Sequence, residues 1–159
     1  MKNLKKKFTL TALAILAVFL FTACGDKKSN DVTVDISQLC SELQETVTSG
    51  ELIITNENNL AATYFFDMDK LEESIAALNS GANACEIAIV KCKDGDYVSE
   101  VEDLFKSRVE NQSNLFADYN AAEVSKLDSA IIKSAGNYVV FCVTDDTAKA
   151  EEILKKAGF

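Results

Sequence analysis

The sequence predicts an α+β domain in which an antiparallel sheet of about four strands, arranged as two hairpins, has its helices packed on one face. Three observations support this fold class. Residues 129–143 contain two β-rich runs on either side of Ala135-Gly136-Asn137, a pattern typical of a hairpin. Residues 84–93, ACEIAIVKCK, are apolar on both faces, as in a central strand. Helical periodicity surrounds these runs, and helices on one face of an antiparallel sheet are a natural way to pack them.

The first half of the domain contains one clear helix and one ambiguous segment. Apolar residues at helical spacing predict a helix from about Ser37 to Thr48. The stretch ENNLAATYF predicts a short helical turn. Residues 67–80, DMDKLEESIAALNS, have helical propensity, but their position before a glycine turn and a strand also suits the first arm of a hairpin. Residues 72–79 therefore stay open between helix and strand.

The second half contains the longest predicted helix, DGDYVSEVEDLFKSRVENQSNLFADY, and Asp96 can cap its start. The apolar stripe of this helix consists of Val101, Leu104, Phe105, Val109, Leu115, Phe116 and Tyr119. A last helix, TAKAEEILKKAGF, follows the hairpin, and either Asp145 or Asp146 can cap it. The basic residues near the end of this helix suit its dipole.

The N-terminus has the parts of a secretory signal peptide: four lysines within residues 2–7, then an uncharged run from Phe8 to Ala23. The run is somewhat short of the roughly 20 residues that span a bilayer. It ends in Thr22-Ala23-Cys24, which resembles the cleavage site of bacterial lipoproteins. The resemblance implies that Cys24 receives a diacylglycerol thioether and becomes the first residue. An uncleaved anchor helix is the alternative.

These features divide the chain into three parts. Residues 1–23 are the predicted lipoprotein signal peptide, residues 24–33 are the lipidated cysteine with a polar tether, and residues 34–159 form a single α+β domain. Two acyl chains attach a protein stably to a membrane, whereas one does not. We therefore expect the domain to stand on the extracytoplasmic face of the cell membrane, held by its lipid.

The charge balance excludes some classes of partner. The chain has 16 basic and 25 acidic residues, a net charge of −9. Removing residues 1–23 takes away four of the basic residues and none of the acidic ones, which leaves a net charge of −13. A nucleic-acid partner is not expected, because such binding needs basic patches. The same charge repels the domain from an anionic lipid surface.

Four further cysteines, Cys40, Cys85, Cys92 and Cys142, follow Cys24. Cys85 and Cys92 would lie about 23 Å apart on one strand, far beyond the ~4.4–6.8 Å between Cα atoms that a disulfide allows. A bridge from either of them to Cys142 across neighbouring strands stays possible. We favour the alternative that all four are small buried side chains. Because the chain has no histidine and no close cysteine pair, we expect no metal site and no cofactor.

Two stretches, CEIAIVKCKDGD and RVENQSNLFADYNAAEVSKLDSAIIKSAGNYVVFCVTDD, resemble an uncharacterised family of lipoproteins from Gram-positive bacteria, the domain of unknown function 4358. The similarity runs from about Val34 to the end. It includes the Arg-x-x-x-Gln step at residues 108–112, Tyr119, and Gly136-x-Tyr138. The four cysteines of the domain are not part of the pattern. The resemblance implies a secreted, anchored α+β domain, and it brings no established activity.

Arg108, the single arginine of the chain, is the most informative side chain. At 100° per residue, Arg108 and Gln112 fall in the middle of the apolar stripe of the long helix. A charge there must be paired, and Glu86 on the neighbouring strand is the candidate partner. One interpretation is a buried ion pair with Gln112 completing its hydrogen bonds. A second is that Arg108, Gln112, Tyr119 and Glu86 line a groove for an anionic or peptide-like ligand, and a third is a plain surface position.

The amino-acid composition excludes some classes of catalytic site. Without a histidine, Ser-His and Cys-His catalytic pairs are ruled out. We therefore predict a non-enzymatic domain that binds an envelope protein or a small ligand. The alternatives are an envelope enzyme or thiol-redox protein using Cys92 or Cys142, and a purely structural surface protein. A redox cysteine usually has a Cys-x-x-Cys partner or a lowered pKa, and neither is visible in the sequence.

Overall fold

The computed structural model describes residues 32–80 and 83–159. The predicted signal peptide, Cys24 and all but two residues of the predicted tether lie outside the described residues. Within the described part of the chain, no helix is both long enough and apolar enough to cross a membrane.

The centre of the domain is one open sheet of five antiparallel strands. The strands are β1 Leu52–Ile54, β2 Leu71–Asn79, β3 Glu86–Cys92, β4 Ile131–Ala135 and β5 Tyr138–Val143. Their order across the sheet is β1-β2-β3-β5-β4, so β1 and β4 form its two edges. The α+β class and the antiparallel sheet are confirmed, and the ambiguous residues 72–79 are a strand. The fifth strand, β1, was not predicted, because three residues are too few to show an alternating pattern.

Five helices complete the domain. They are α1 Ile36–Gln44, α2 Glu57–Tyr64, α3 Val98–Ala117, α4 Ala121–Asp128 and α5 Thr147–Ala157. The first helix ends before Thr48, because the amides of residues 45–47 bond three residues back instead of four. Asp146, one of the two predicted caps of the last helix, accepts a hydrogen bond from the Lys149 amide at 3.0 Å.

The predicted cap of the long helix was wrong. Asp96 does not cap α3, since its own amide donates to the Asp94 side chain at 2.8 Å in a short 3₁₀ turn, Gly95–Tyr97, that precedes the helix. The residue before α3 is Tyr97, which makes no side-chain cap. Asp94 therefore caps the 3₁₀ turn, and α3 begins without a side-chain cap.

The helices cover both faces of the sheet, and the prediction that they pack on one face was wrong. One core lies between the sheet and α2, α3 and α4, and the other lies between the sheet and α1 and α5. The reason is in the central strands. On β3, Ala88 and Val90 face the first core while Ile87 and Ile89 face the second, and all four are fully buried. A strand that is apolar on both sides needs cover on both sides.

The hairpin tip between β4 and β5 is where the sequence placed it. Gly136 and Asn137 connect the strands, and Gly136 has φ of +57°. A two-residue connection with glycine at its first position fits a type II′ turn, whose twist matches that of the strands.

Candidate functional site

A groove of about 430 Å³ opens at the end of the sheet where β2 finishes and β3 begins. Its walls are the C-terminal halves of α2 and α3. The lining residues are Ala62, Thr63, Phe65, Leu78, Asn79, Asn83, Ala84, Cys85, Glu86, Arg108, Gln112, Leu115, Phe116 and Tyr119. All four residues of the ligand-site prediction are among them, so the structure brings Arg108, Gln112, Tyr119 and Glu86 to one place.

The path of the chain explains why Arg108 meets Glu86. Strand β3 ends at Cys92, and α3 starts six residues later and packs on the face that carries Ala88 and Val90. Glu86 shares that face because side chains alternate along a strand. Going back from Cys92 to Glu86 covers about 20 Å of strand, and ten residues of α3 cover about 15 Å in return. The helix therefore reaches the start of β3 near its own middle.

The ion pair is bidentate. Arg108 Nε donates to Glu86 Oε1 at 2.9 Å, and Nη2 donates to Oε2 at 2.7 Å. This arrangement uses the planar fork of the guanidinium, which a lysine does not have. Glu86 is only 5% exposed, and about a fifth of the Arg108 side chain reaches the groove. The predicted partner of Arg108 is confirmed.

The side chain of Tyr64 packs against the ion pair on the side of the core. The Tyr64 hydroxyl lies 3.5 Å from Glu86 Oε1 and donates towards it, and the Arg108 guanidinium lies over the Tyr64 ring. Burial, followed by the charge of Glu86, raises the pKa of Tyr64 well above its ordinary value, so the hydroxyl stays a donor. Burial opposes the charge on Arg108, but the hydrogen bonds and charge of Glu86 outweigh it and raise the pKa of the guanidinium.

Gln112 and Tyr119 contribute to the groove in other ways. Gln112 lies one turn beyond Arg108 and lines the groove, but within the described residues its amide makes no hydrogen bond to the ion pair. The expectation that it completes the hydrogen bonds of the pair is therefore wrong. Tyr119 lies just after α3, and its ring stacks obliquely on Phe116 with centroids 5.0 Å apart. It belongs to the rim of the groove and not to its floor.

The rim is unusually apolar for a surface. Phe65, Leu115 and Tyr119 are each more than half exposed, and Phe65 is 76% exposed. Phe65 is also strained: it ends α2 in the left-handed conformation, with φ of +62°, where glycine or asparagine is usual. A bulky residue in this region costs of order 1–3 kcal/mol. Nothing in the sequence pointed to Phe65, because such a conformation has no periodic signal.

A second cluster of charges, which contacts the segment at Ala84 and Cys85, was also missed. Lys126 Nζ bonds Asp145 Oδ1 at 2.8 Å and Glu123 Oε2 at 3.0 Å. Glu123 in turn accepts the Ala84 amide at 2.8 Å, and Asp145 accepts the amides of Thr48 and Ser49. The cluster joins α4 to three loops that are far apart in sequence. The spacing of Val124 and Leu127 was the available signal for α4, but the prediction extended the long helix to Tyr119 and stopped.

The four cysteines of the domain are buried and unpaired. Cys92 faces the core under α3, while Cys40, Cys85 and Cys142 face the core under α1 and α5, so a Cys92–Cys142 bridge would have to cross the sheet. Burial raises the pKa of Cys40 and Cys92 to about 11 and that of Cys142 to about 12. The prediction of small buried thiols is confirmed.

The lining of the groove determines the kinds of contact that it can make. In residues 32–80 and 83–159, no group of three His, Cys, Asp or Glu side chains is arranged to hold a metal ion. The described groove residues offer one ion pair, three side-chain amides, the hydroxyls of Thr63 and Tyr119, the buried thiol of Cys85 and a mostly apolar rim. Such a lining can make hydrogen bonds and cover an apolar surface.

Comparison with known protein families shows to which family the chain belongs. A family described as a domain of unknown function, DUF4358, matches residues 47–144. The chain belongs to the DUF4358 family. The DUF4358 match begins after α1 and ends before α5, so it is shorter than the predicted similarity from Val34 to the end. It contains all five strands and every described groove residue. No curated protein and no solved structure matches the chain.

Proposed function

We propose that this DUF4358 protein is an exported lipoprotein whose domain binds an envelope partner through the groove around Arg108. In this proposal, diacylglycerol on Cys24 anchors the chain to the extracytoplasmic face of the membrane. One observation carries the binding role: three exposed apolar side chains, Phe65, Leu115 and Tyr119, surround a groove whose floor is a satisfied ion pair. Exposed apolar side chains gathered around a depression are typical of an interaction surface.

Strain at Phe65 adds support. The Phe65 amide closes the end of α2 on the Ala61 carbonyl at 2.8 Å, but its side chain is 76% exposed, so the phenylalanine ring itself adds little to the core. Strained residues are typical of binding and catalytic surfaces, where the strained geometry serves the site. In the proposed role, the strain directs the Phe65 ring to the mouth of the groove, where it contacts the partner.

A non-enzymatic role agrees with the chemistry of the cysteines. A thiol-redox enzyme needs an accessible cysteine with a lowered pKa. Cys92 and Cys142, the two cysteines of that alternative, are fully buried, and burial raises the pKa of both. We therefore favour a binding module over a thiol enzyme.

The anchor and the groove are tested separately in the native cell. Metabolic labelling with a fatty acid should label the wild-type chain and not Cys24→Ala, and equal labelling of both would contradict the anchor. For the groove, a photo-crosslinking amino acid replaces Tyr119, and a matched control replaces Glu152, an exposed residue of α5 on the other side of the sheet. We expect cross-links from position 119 that are lost when Phe65→Asn is added, and none from position 152. Equal cross-linking from both positions would contradict the groove.

A further inference from the structure

The edge strand β1 is unusually apolar for an open edge. Its three residues are Leu-Ile-Ile, and Ile53 and Ile54 are each at least 50% exposed. The two side chains lie on opposite faces, because Ile53 is opposite Leu78 and Ile54 is opposite Ala77. Proteins usually protect an edge with charges, proline, cover or a very short strand, and of these devices β1 has only its length of three residues. The other edge, β4, shows this protection: it carries Lys133, which is paired with Glu151, and its isoleucines are buried or half-buried.

The backbone of β1 offers hydrogen bonds to an additional strand. The Thr55 amide donates to the Ala76 carbonyl at 2.9 Å, in register with the pairing of β1 and β2. Hydrogen-bonded pairs alternate along an antiparallel ladder. Ile53 therefore bonds to β2, while the peptide groups of Leu52 and Ile54 point away from β2, towards the open edge.

The exposed apolar surface is concentrated at this end of the molecule. A second depression, of about 250 Å³, adjoins β1 and is lined by Ile53, Ile54, Thr55, Asn56, Asn59, Leu78, Asn79 and Ser80. It shares Leu78 and Asn79 with the groove. In the described part of the chain, five large apolar side chains are exposed, and every one of them lines one of these two depressions.

The charge of this surface is informative because the chain is acidic. The sequence has 25 acidic and 16 basic residues. The described lining of the two depressions nevertheless contains no charged side chains except Arg108 and Glu86, which neutralise each other. A neutral surface suits an uncharged occupant, because a charged one would lose hydration without gaining an opposite charge. Amide side chains such as Asn56, Asn59 and Gln112 can bond to peptide groups.

We infer that the partner of this surface is an uncharged, apolar polypeptide segment that binds in extended form as a sixth strand along β1. This inference rests on the proposed binding role of the groove and extends it. Main-chain hydrogen bonds to Leu52 and Ile54 supply affinity, and alternate side chains of the segment enter the depressions on the Ile53 face. A sugar fits β1 less well, because Ile53 and Ile54 present no flat ring for stacking and the open peptide groups of an edge strand suit another strand.

The test uses the full chain in lipid nanodiscs and defined probes. The probes are synthetic octapeptides rich in Val, Ile, Thr and Asn, versions of them with two Lys or two Glu, and a neutral N-acetylglucosamine oligosaccharide. We expect uncharged peptides to bind at least tenfold more tightly than charged ones. Bound peptide should slow hydrogen exchange of the Leu52 and Ile54 amides at least tenfold. Preferred binding of charged peptides, binding of the oligosaccharide alone, or no binding of any peptide would overturn the inference.

Two variants locate the contact. Ile54→Pro removes an amide that faces the open edge and leaves the Ile53 and Thr55 bonds to β2 in place, whereas Ile54→Val keeps the amide. Ile53→Lys places a charge beside the groove without changing the backbone. We expect Ile54→Pro and Ile53→Lys to weaken peptide binding at least tenfold and Ile54→Val to leave it unchanged. Unchanged binding in both Ile54→Pro and Ile53→Lys would overturn the inference.

The failure of the inference and of the proposed function can be told apart with Phe65→Asn. Binding that is lost in Phe65→Asn but unaffected by the β1 variants, with unchanged exchange at Leu52 and Ile54, would keep the groove and remove the added strand. Binding that depends on the β1 variants but not on Phe65 would keep the strand and remove the groove.

Discussion

Arg108 and Glu86 form a bidentate ion pair at the floor of the groove, with both nitrogen–oxygen distances below 3 Å. The pair serves two purposes. It neutralises a carboxylate that is 5% exposed, and it fixes the middle of α3 over the start of β3. Because the Glu86 side chain is buried and about a fifth of the Arg108 side chain is exposed, a ligand in the groove meets the guanidinium and not the carboxylate.

Removing one partner of this pair should destabilise the domain strongly. Arg108→Ala leaves the Glu86 carboxylate buried without its cation, which costs of order 3 kcal/mol. We expect the free energy of unfolding in guanidinium chloride to fall by about this amount. Lys106→Ala is the matched control on the same helix, since Lys106 pairs with Asp103 at the exposed surface, and its unfolding midpoint should equal that of the wild type.

A double variant separates charge burial from packing. Arg108→Met with Glu86→Gln replaces the pair by side chains of similar size without a buried charge. Replacing both partners of a buried pair is often neutral, so most of the lost stability should return. If the double variant were as unstable as Arg108→Ala, the loss of the hydrogen bonds between Arg108 and Glu86, and not an unpaired buried charge, would account for the destabilisation.

A substitution at Phe65 should abolish the proposed binding without lowering the stability of the domain. Asparagine tolerates the left-handed conformation better than phenylalanine, and the Phe65 ring buries little surface. Phe65→Asn should therefore leave the free energy of unfolding unchanged or raise it by up to about 1 kcal/mol, while the proposed binding is lost. Leu115→Asn is the control, because the same change at an ordinary helical position lowers helix propensity and should lower stability slightly. A large loss of stability in Phe65→Asn would show that the ring supports the fold.

Lys126 should contribute to the stability of the domain at neutral pH and to the way in which that stability changes at acid pH. Burial opposes ionisation of Asp145, but the hydrogen bonds from Lys126 and from the Thr48 and Ser49 amides outweigh it and hold the pKa of this carboxyl well below its ordinary value. Its stabilisation is therefore present above the ordinary pKa of 3.8 and is lost as the pH falls below that value. Lys126→Met should lower the free energy of unfolding at pH 7 by about 2–3 kcal/mol.

The fall in the free energy of unfolding at acid pH gives a second test of the role of Lys126. Without the cation, the pKa of Asp145 moves back towards its ordinary value, so stability should fall less steeply between about pH 5 and pH 2 than in the wild type. Lys155→Met, at an exposed position of α5, is the control and should keep the wild-type slope. Parallel acid curves for Lys126→Met and the wild type would mean that Lys126 does not set this pKa.

The features that could be predicted are those with a period or a fixed local chemistry. The position of Arg108 in the apolar stripe followed from 3.6 residues per turn, and the choice of Glu86 followed from the neighbouring strand. The hairpin tip at Gly136 followed from turn chemistry. The helix position and the hairpin tip each depend on a short stretch of chain, and the pairing of Arg108 with Glu86 depends only on two elements that are neighbours in sequence.

The features that were missed depend on contacts between distant parts of the chain. Strand β1 is defined by its pairing with β2 and not by its three residues. Lys126 meets Asp145 and the loop at Ser49 only after α4 has packed against α3 and the segment at Ala84. The second helix layer was missed because the two apolar faces of β3 indicate a central strand, while the periodicity of α1 and α5 does not show which face of the sheet each helix covers. Long-range pairing of this kind has no local signal.

The buried thiols should make the domain sensitive to alkali. Burial raises the pKa of Cys142 from an ordinary 9.0 to about 12, so the native state keeps this proton while the unfolded state loses it. A raised pKa contributes stability below pH 9, and this contribution disappears as the pH rises towards 12. Each such thiol should lower the free energy of unfolding by up to about 1.4 kcal/mol per pH unit above pH 9.

Denaturant unfolding between pH 8 and pH 10.5, with reductant present, measures this slope. The slope should be shallower in Cys142→Ala by the share of one thiol, and the titration of lysines cancels in the comparison. Parallel curves would mean that Cys142 ionises as readily in the folded domain as in the unfolded chain, and would reopen the case for a reactive thiol.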